Sequence, residues 1–186
     1  MQMQADVTIA KDRGFSGDAD SREEKINKIV LDCSAAVLGH YCDELSLGGS
    51  ASPDPKMNLN AISSIISFTG QDYSGMFLVS FMCSDIKCIC ANAIRKAMDE
   101  VTAEELEDFS NELCNQIFGK IRTELIAMGL EPNMGIPTIL DTKIENIVFL
   151  NSEDSLKELS FKIDSKYCSQ EVESYIAFKL ISGGSR

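Results

Sequence analysis

The sequence predicts an α/β fold of the segregated (α+β) kind, with long helices packed on a mostly antiparallel sheet. Two long stretches carry apolar residues at helical spacing, and each is followed by strand-like runs that pair as hairpins. The chain of 186 residues, 44% hydrophobic and 25% charged, is long enough to bury a sizeable core within one domain.

The opening twenty residues are polar, with at most a short strand around Val7–Ala10. Ile26, Ile29, Cys33, Val37 and Tyr41 then recur at helical spacing, which predicts a first helix from near Glu23 to near Cys42. The stretch 48–56, rich in Gly and Pro, is a loop. Strand runs at 63–68 and 76–82, joined by a segment with two glycines, predict a hairpin. Ser84 is placed as the N-cap of a second helix with Ile86, Ile89, Ala93, Ile94 and Ala97 inward. Thr102 and Glu105 form a capping box for a third helix of about 26 residues that stops before Gly129. Strand runs at 144–150, 156–163 and 172–181 complete the chain.

An internal echo organises these elements. A shift of 80 residues lays Ile26 on Leu106, Cys33 on Leu113, Val37 on Ile117, Gly39 on Gly119 and Gly49 on Gly129. A glycine inside a helix costs about 1 kcal/mol relative to alanine, so matched glycines are harder to obtain by chance than matched apolar stripes. The expectation is a flexible N-terminal segment (1–22), one domain over 23–181 built of two degenerate halves (about 23–100 and 101–181), and a loose tail (182–186).

The formal net charge of -12 argues against nucleic acid and anionic membranes as partners, since both are bound through clustered Lys and Arg. The seven cysteines include no CxxC pair, and His40 is the lone histidine, which disfavours a zinc site. Most of them sit among apolar residues and are read as reduced, buried thiols. A redox or metal sensor using Cys83, Cys88 and Cys90 is disfavoured, because two of these flank Ile89 on an apolar helix. The first twenty residues hold no apolar signal core, and a cytoplasmic location is expected.

The third helix carries the chemistry. At 100° per residue from Leu106, the residues Phe109, Leu113, Ile117 and Ile121 fall within about 60° and form a core stripe. Asp108, Glu112, Asn115 and Gly119 fall at about 180 to 240°, on the solvent side. Acidic and amide residues are ordinary on such a face. A mid-helix glycine there is not, and it suits a place that another chain must approach closely. Two carboxylates and an amide on a convex surface cannot enclose a small molecule. They make sense where a partner protein brings the rest of the site.

Residues 108–137, DFSNELCNQIFGKIRTELIAMGLEPNMGIP, resemble the signature helix of the CheX/CheC family of chemotaxis phosphatases. That signature is Asp or Ser, then Glu four residues on, Asn three further, and Pro some twenty-odd residues later. Asp108, Glu112, Asn115 and Pro137 occupy those places, with 21 residues between the Asn and the Pro. Asp20, Glu24 and Asn27 repeat the spacing but lack the following glycine, and are read as accidental. At the matched first-half positions stand Lys28, Asp32, Ala35 and Gly39, without the amide. One complete copy looks more like CheX than CheC.

The resemblance implies a CheX-like pseudo-duplicated fold and hydrolysis of the aspartyl phosphate of a CheY-like response regulator. Asn115 would position the attacking water, Glu112 would pair with the receiver's lysine, and Asp108 and Gly119 would meet the partner. It implies no cofactor of the chain's own, Mg²⁺ being supplied by the phosphorylated receiver, and a homodimer formed through a sheet edge. The alternative is a non-catalytic binding module of the same fold, as in flagellar switch proteins.

Overall fold

The computed structural model describes residues 6–9, 22–41, 44–47, 61–140, 157–164 and 173–182. Strands β1 (Asp6–Ile9), β2 (Glu44–Leu47), β3 (Ala61–Thr69), β4 (Tyr73–Met82), β5 (Asn133–Met134), β6 (Thr138–Ile139), β7 (Lys157–Asp164) and β8 (Glu173–Ser182) form one sheet. Its order is β1-β2-β7-β8-β4-β3-β5, with β6 also on β3. Among the described residues, only the β1–β2 pairing is parallel. The helices are α1 (Arg22–Leu38), α2 (Cys83–Ile94) and α3 (Ala103–Ala127). The mixed architecture expected from the sequence is present. Among the described residues, no helix is long and apolar enough to cross a membrane.

One core joins the helices to the central strands. Ile66, Phe68, Phe77, Val79, Phe81, Ile176 and Phe178 pack with Ile26, Val30 and Leu38 of α1 and with Leu113, Ile117 and Ile121 of α3. The alternation within β3 and β4 puts these side chains on one face of the sheet. Polar ties to β3 and to the segment after α3 supplement its apolar packing. Ser64 Oγ and Ser110 Oγ lie 2.8 Å apart, Cys114 Sγ donates to Ser64 O at 3.6 Å, and Arg122 Nε donates to Pro132 O at 2.9 Å.

The predicted hairpin is β3–β4, with a tighter turn than the segment 69–75. Gly70 N donates to Tyr73 O at 2.8 Å. A Cβ at Gly70 would fall 2.1 Å from the Tyr73 ring, so only glycine lets the ring close over the turn. Two helix expectations need correction. The first helix ends at Leu38 rather than near Cys42, because bonds from His40 N to Val37 O and from Tyr41 N to Leu38 O tighten the chain into a turn after Gly39. The second starts at Cys83 directly out of β4, with Met82 rather than Ser84 at its N-cap. It ends at Ile94 because Arg95 takes a left-handed conformation (φ 57°). Ile86 and Ile89 are buried as expected, but Ala93, Ile94 and Ala97 are exposed, and Asp85, Cys88, Cys90 and Ala91 take the inner positions.

The third helix follows its prediction closely. Glu105 N donates to Thr102 Oγ1 at 3.2 Å and Thr102 N donates to Glu105 Oε2 at 3.0 Å. Lys96 Nζ also donates to Glu105 Oε1, and that ion pair holds the Glu105 carboxyl below the ordinary glutamate range. Gly129 (φ 81°) ends the helix in a conformation that costs other residues energy. Strands β7 and β8 match the expected runs within a residue. β2, β5 and β6 were not expected. The run 144–150 lies outside the described residues.

Of the described cysteines, Cys33, Cys83, Cys90 and Cys114 are in no disulfide, and Cys33, Cys88, Cys90 and Cys114 are buried. Burial pushes the Cys114 thiol up to about 12 and, with the nearby Glu124 carboxylate, the Cys33 thiol up to about 11, from an ordinary 9.0. Both groups fold in the neutral form. Their stabilising contribution is complete below pH 9 and is lost as pH rises toward 11 and 12. The melting temperature is therefore expected to fall above pH 9, less steeply in Cys114→Ala. A slope identical in wild type and variant between pH 9 and 11 would show that Cys114 ionises freely.

Candidate functional site

The polar ties and the core set the rotation of α3. Its buried residues are Leu106, Ser110, Leu113, Cys114, Ile117, Phe118, Ile121 and Leu125. This stripe is centred roughly 50° from the expected one. Phe109 accordingly sits at its edge, half-buried, and Phe118 lies fully inside.

The rotation leaves the predicted constellation on the outer face. Asp108, Glu112 and Asn115 are exposed, and Gly119 is half-buried beside them. A Cβ built at Gly119 meets nothing within 4 Å. Nothing within the described structure therefore requires glycine there. The helix keeps a bare backbone patch at a stability cost, next to two carboxylates and an amide. The Gly119 carbonyl accepts a bond from Thr123 Oγ1 at 3.1 Å, which occupies it within the helix.

Two residues outside the predicted constellation complete the arrangement. Gln116 Nε2 donates to Glu112 Oε1 at 2.7 Å, one helical turn away. Tyr41 Oη, from the turn after α1, donates to Gln116 Oε1 at 3.2 Å. The Tyr41 ring also meets Phe109 edge to face, with centroids 5.5 Å apart and planes at 87°. The i, i+4 relation of Glu112 and Gln116 was a readable signal for half of this contact. The Tyr41 half, from 75 residues away, had none.

At the positions matched by the 80-residue shift, Lys28 and Asp32 are exposed, but Ala35, which falls on Asn115, is buried, so an amide there would face the core. Of the accidental copy, Glu24 and Asn27 are half-buried on α1, and Asp20 lies outside the described residues. Pro137, the last signature residue, is half-buried between β5 and β6, next to Ile136, which is 87% exposed. Among the described residues, no group of three or more His, Cys, Asp or Glu could hold a metal ion.

What such a surface can do is limited and specific. It has no enclosed volume to bind a metabolite, but it has a rigid helix with an amide and carboxylates projecting into solvent. Such a helix can enter a cleft on another protein.

Comparison with known proteins agrees with this reading of the fold. Residues 62–158 match the family described as chemotaxis phosphatase CheX, a span that holds all of α3 and Pro137. A CheC-like superfamily protein from Shewanella sp. PV-4 is similar over 87% of this chain and 99% of its own, with TM-score 0.66 and 19% identity. The chemotaxis protein CheX from Vibrio vulnificus is similar over the same shares, with TM-score 0.64 and 18% identity. A CheX–CheY–BeF₃–Mg²⁺ complex from Borrelia burgdorferi is similar over 84% of this chain and 98% of the other, with TM-score 0.59 and 16% identity. No curated protein sequence matches the chain. With the family match spanning just over half of its residues, the chain belongs to the CheX family.

Proposed function

We propose that the protein hydrolyses the aspartyl phosphate of a CheY-like response regulator by inserting the outer face of α3 into the receiver's active site. One observation carries the reading: Asp108, Glu112 and Asn115 are exposed together on one face of a capped, 25-residue helix. An acyl phosphate is already labile, and its loose transition state needs charge neutralisation and an in-line nucleophile more than it needs a base. The receiver's own lysine and Mg²⁺ supply the neutralisation. Asn115 holds a water in line with phosphorus, which its carboxamide can do by donating and accepting at once. Glu112 pairs with the receiver lysine, Asp108 meets the rim, and the bare backbone at Gly119 lets the receiver come close. The complex between CheX and CheY in Borrelia burgdorferi supports a CheY-like partner for this chain. We also propose that the protein acts in the cytoplasm, as a homodimer, with its site in the second of two degenerate halves.

The direct test follows decay of a phosphorylated receiver with and without the protein. Faster decay with catalytic amounts is expected. Saturable binding without faster decay would sink the catalytic reading and leave a binding module of the same fold.

Gly119 offers a test in which stability and function move in opposite directions. Alanine in a helix interior is favoured over glycine by about 1 kcal/mol. Since a Cβ at 119 meets no atom, Gly119→Ala is expected to raise Tm by about 2–4 °C. Gly119→Leu is expected to keep Tm at or above wild type but to cut receiver dephosphorylation about tenfold or more, through crowding at the docked surface. Full activity in Gly119→Leu would show that the receiver does not approach this part of α3.

A further inference from the structure

We infer that Gln116 and Tyr41 are positioning residues that hold Glu112 in its docking orientation, an inference that rests on the phosphatase reading above. Gln116 uses both ends of its carboxamide, its Nε2 on Glu112 Oε1 at 2.7 Å and its Oε1 on Tyr41 Oη at 3.2 Å. The direction is fixed by chemistry. A carboxylate only accepts, so the amide nitrogen must face Glu112, and the amide oxygen is left for the tyrosine hydroxyl, which can donate. The tyrosine is itself held, by its edge-to-face contact with Phe109 and by the tight turn that ends α1.

The chain of contacts therefore runs from the first helix to the exposed face of the third. Without it, Glu112 would be an exposed, freely rotating side chain that loses its freedom each time a partner docks. With it, one carboxylate oxygen is committed to Gln116 in the free protein, and Glu112 still has a second oxygen to offer an ammonium group. Gln116 is half-buried between the core edge and the exposed stripe, so the side chain stays ordered while its partner remains accessible. The first half lacks an amide of its own at the matched position, yet through Tyr41 it contributes to the site of the second.

Tyr41→Phe keeps the ring and removes only the hydroxyl, and Gln116→Leu keeps the bulk and removes the amide. Both are expected to raise KM for the phosphorylated receiver roughly 3- to 10-fold, with kcat changed by less than about twofold. Combined with Glu112→Ala, neither is expected to add to the effect of that change, because both act through the same carboxylate. A merely structural role would lower Tm and add to Glu112→Ala, and that pattern would overturn the inference. So would an unchanged KM in both single variants of an active protein. The side-chain amide proton signals of Gln116 in the free protein give a readout independent of activity. They are expected to shift in Glu112→Ala and in Tyr41→Phe, and unmoved signals would overturn the relay. A wild-type protein with no effect on any phosphorylated receiver would instead bring down the phosphatase reading itself.

Discussion

Asn115→Ala is expected to return the decay of a phosphorylated receiver to its rate without the protein, a loss of about 100-fold or more in the acceleration. The side chain is exposed on α3 and makes no contribution to the core. Alanine is moreover the better helix former. Folding should be unaffected, and Tm should stay within about 1 °C or rise. Affinity for a receiver carrying a phosphoryl mimic should change less than about threefold, because docking is assigned to Glu112, Asp108 and the Gly119 surface. Glu112→Ala should do the reverse, weakening that affinity more than it slows the bound complex. Asn115→Asp separates water positioning from base catalysis. A carboxylate of the same shape would restore activity if a base were needed. If a neutral amide is needed, it should remain near background, since it brings a further negative charge toward the phosphoryl oxygens. Acceleration that survives Asn115→Ala would remove Asn115 from the mechanism.

The contrast between what was readable and what was not is itself physical. The third helix was legible because its limits are local. The Thr102 and Glu105 side chains close its first turn, and the left-handed Gly129 ends it, with all bonds made inside a few residues. The candidate site was legible for the same reason, since helical spacing alone places Asp108, Glu112, Asn115 and Gly119 together. Strands β2, β5 and β6, of four, two and two residues, have no pattern of their own. They exist because a neighbouring strand offers them partners, as β3 does for Met134, Thr138 and Ile139. The inner face of α2 was misread because its stop is a left-handed arginine at position 95, a conformation for which side-chain identity gives little warning. The contact of Tyr41 with Gln116 depends on how two helices lie together, which no local spacing encodes.

Phe118→Ala is expected to give the largest loss of stability, about 3–5 kcal/mol. Phe118 has no exposed surface, and its ring stacks on Phe68 with centroids 4.9 Å apart and lies 5.7 Å from Phe77. Phe68 in turn stacks on Phe178 at 5.5 Å, so one aromatic cluster keys α3 to the three central strands β3, β4 and β8. Truncation removes the buried area, leaves a cavity among rigid rings, and breaks aromatic contacts each contributing about 0.5–1.5 kcal/mol beyond their area. For a chain of this length, Tm should fall by roughly 6 to 20 °C. Phe118→Leu, which keeps much of the volume, should cost less than half as much. The chemistry should be spared in a defined way. Phe118 and Gly119 project about 100° apart on the helix, so the aromatic cluster supports the stripe without touching the partner. Well below its own melting temperature, Phe118→Ala should therefore keep receiver dephosphorylation within a few-fold of wild type, while Asn115→Ala loses it with Tm intact. A Phe118→Ala protein that melts like wild type would mean that α3 is held on the sheet by something other than this cluster. One that folds fully but is inactive would mean that the depth at which α3 sits on the sheet sets the geometry of Asn115, and the stripe would then have to be treated as part of the core rather than as a face carried by it.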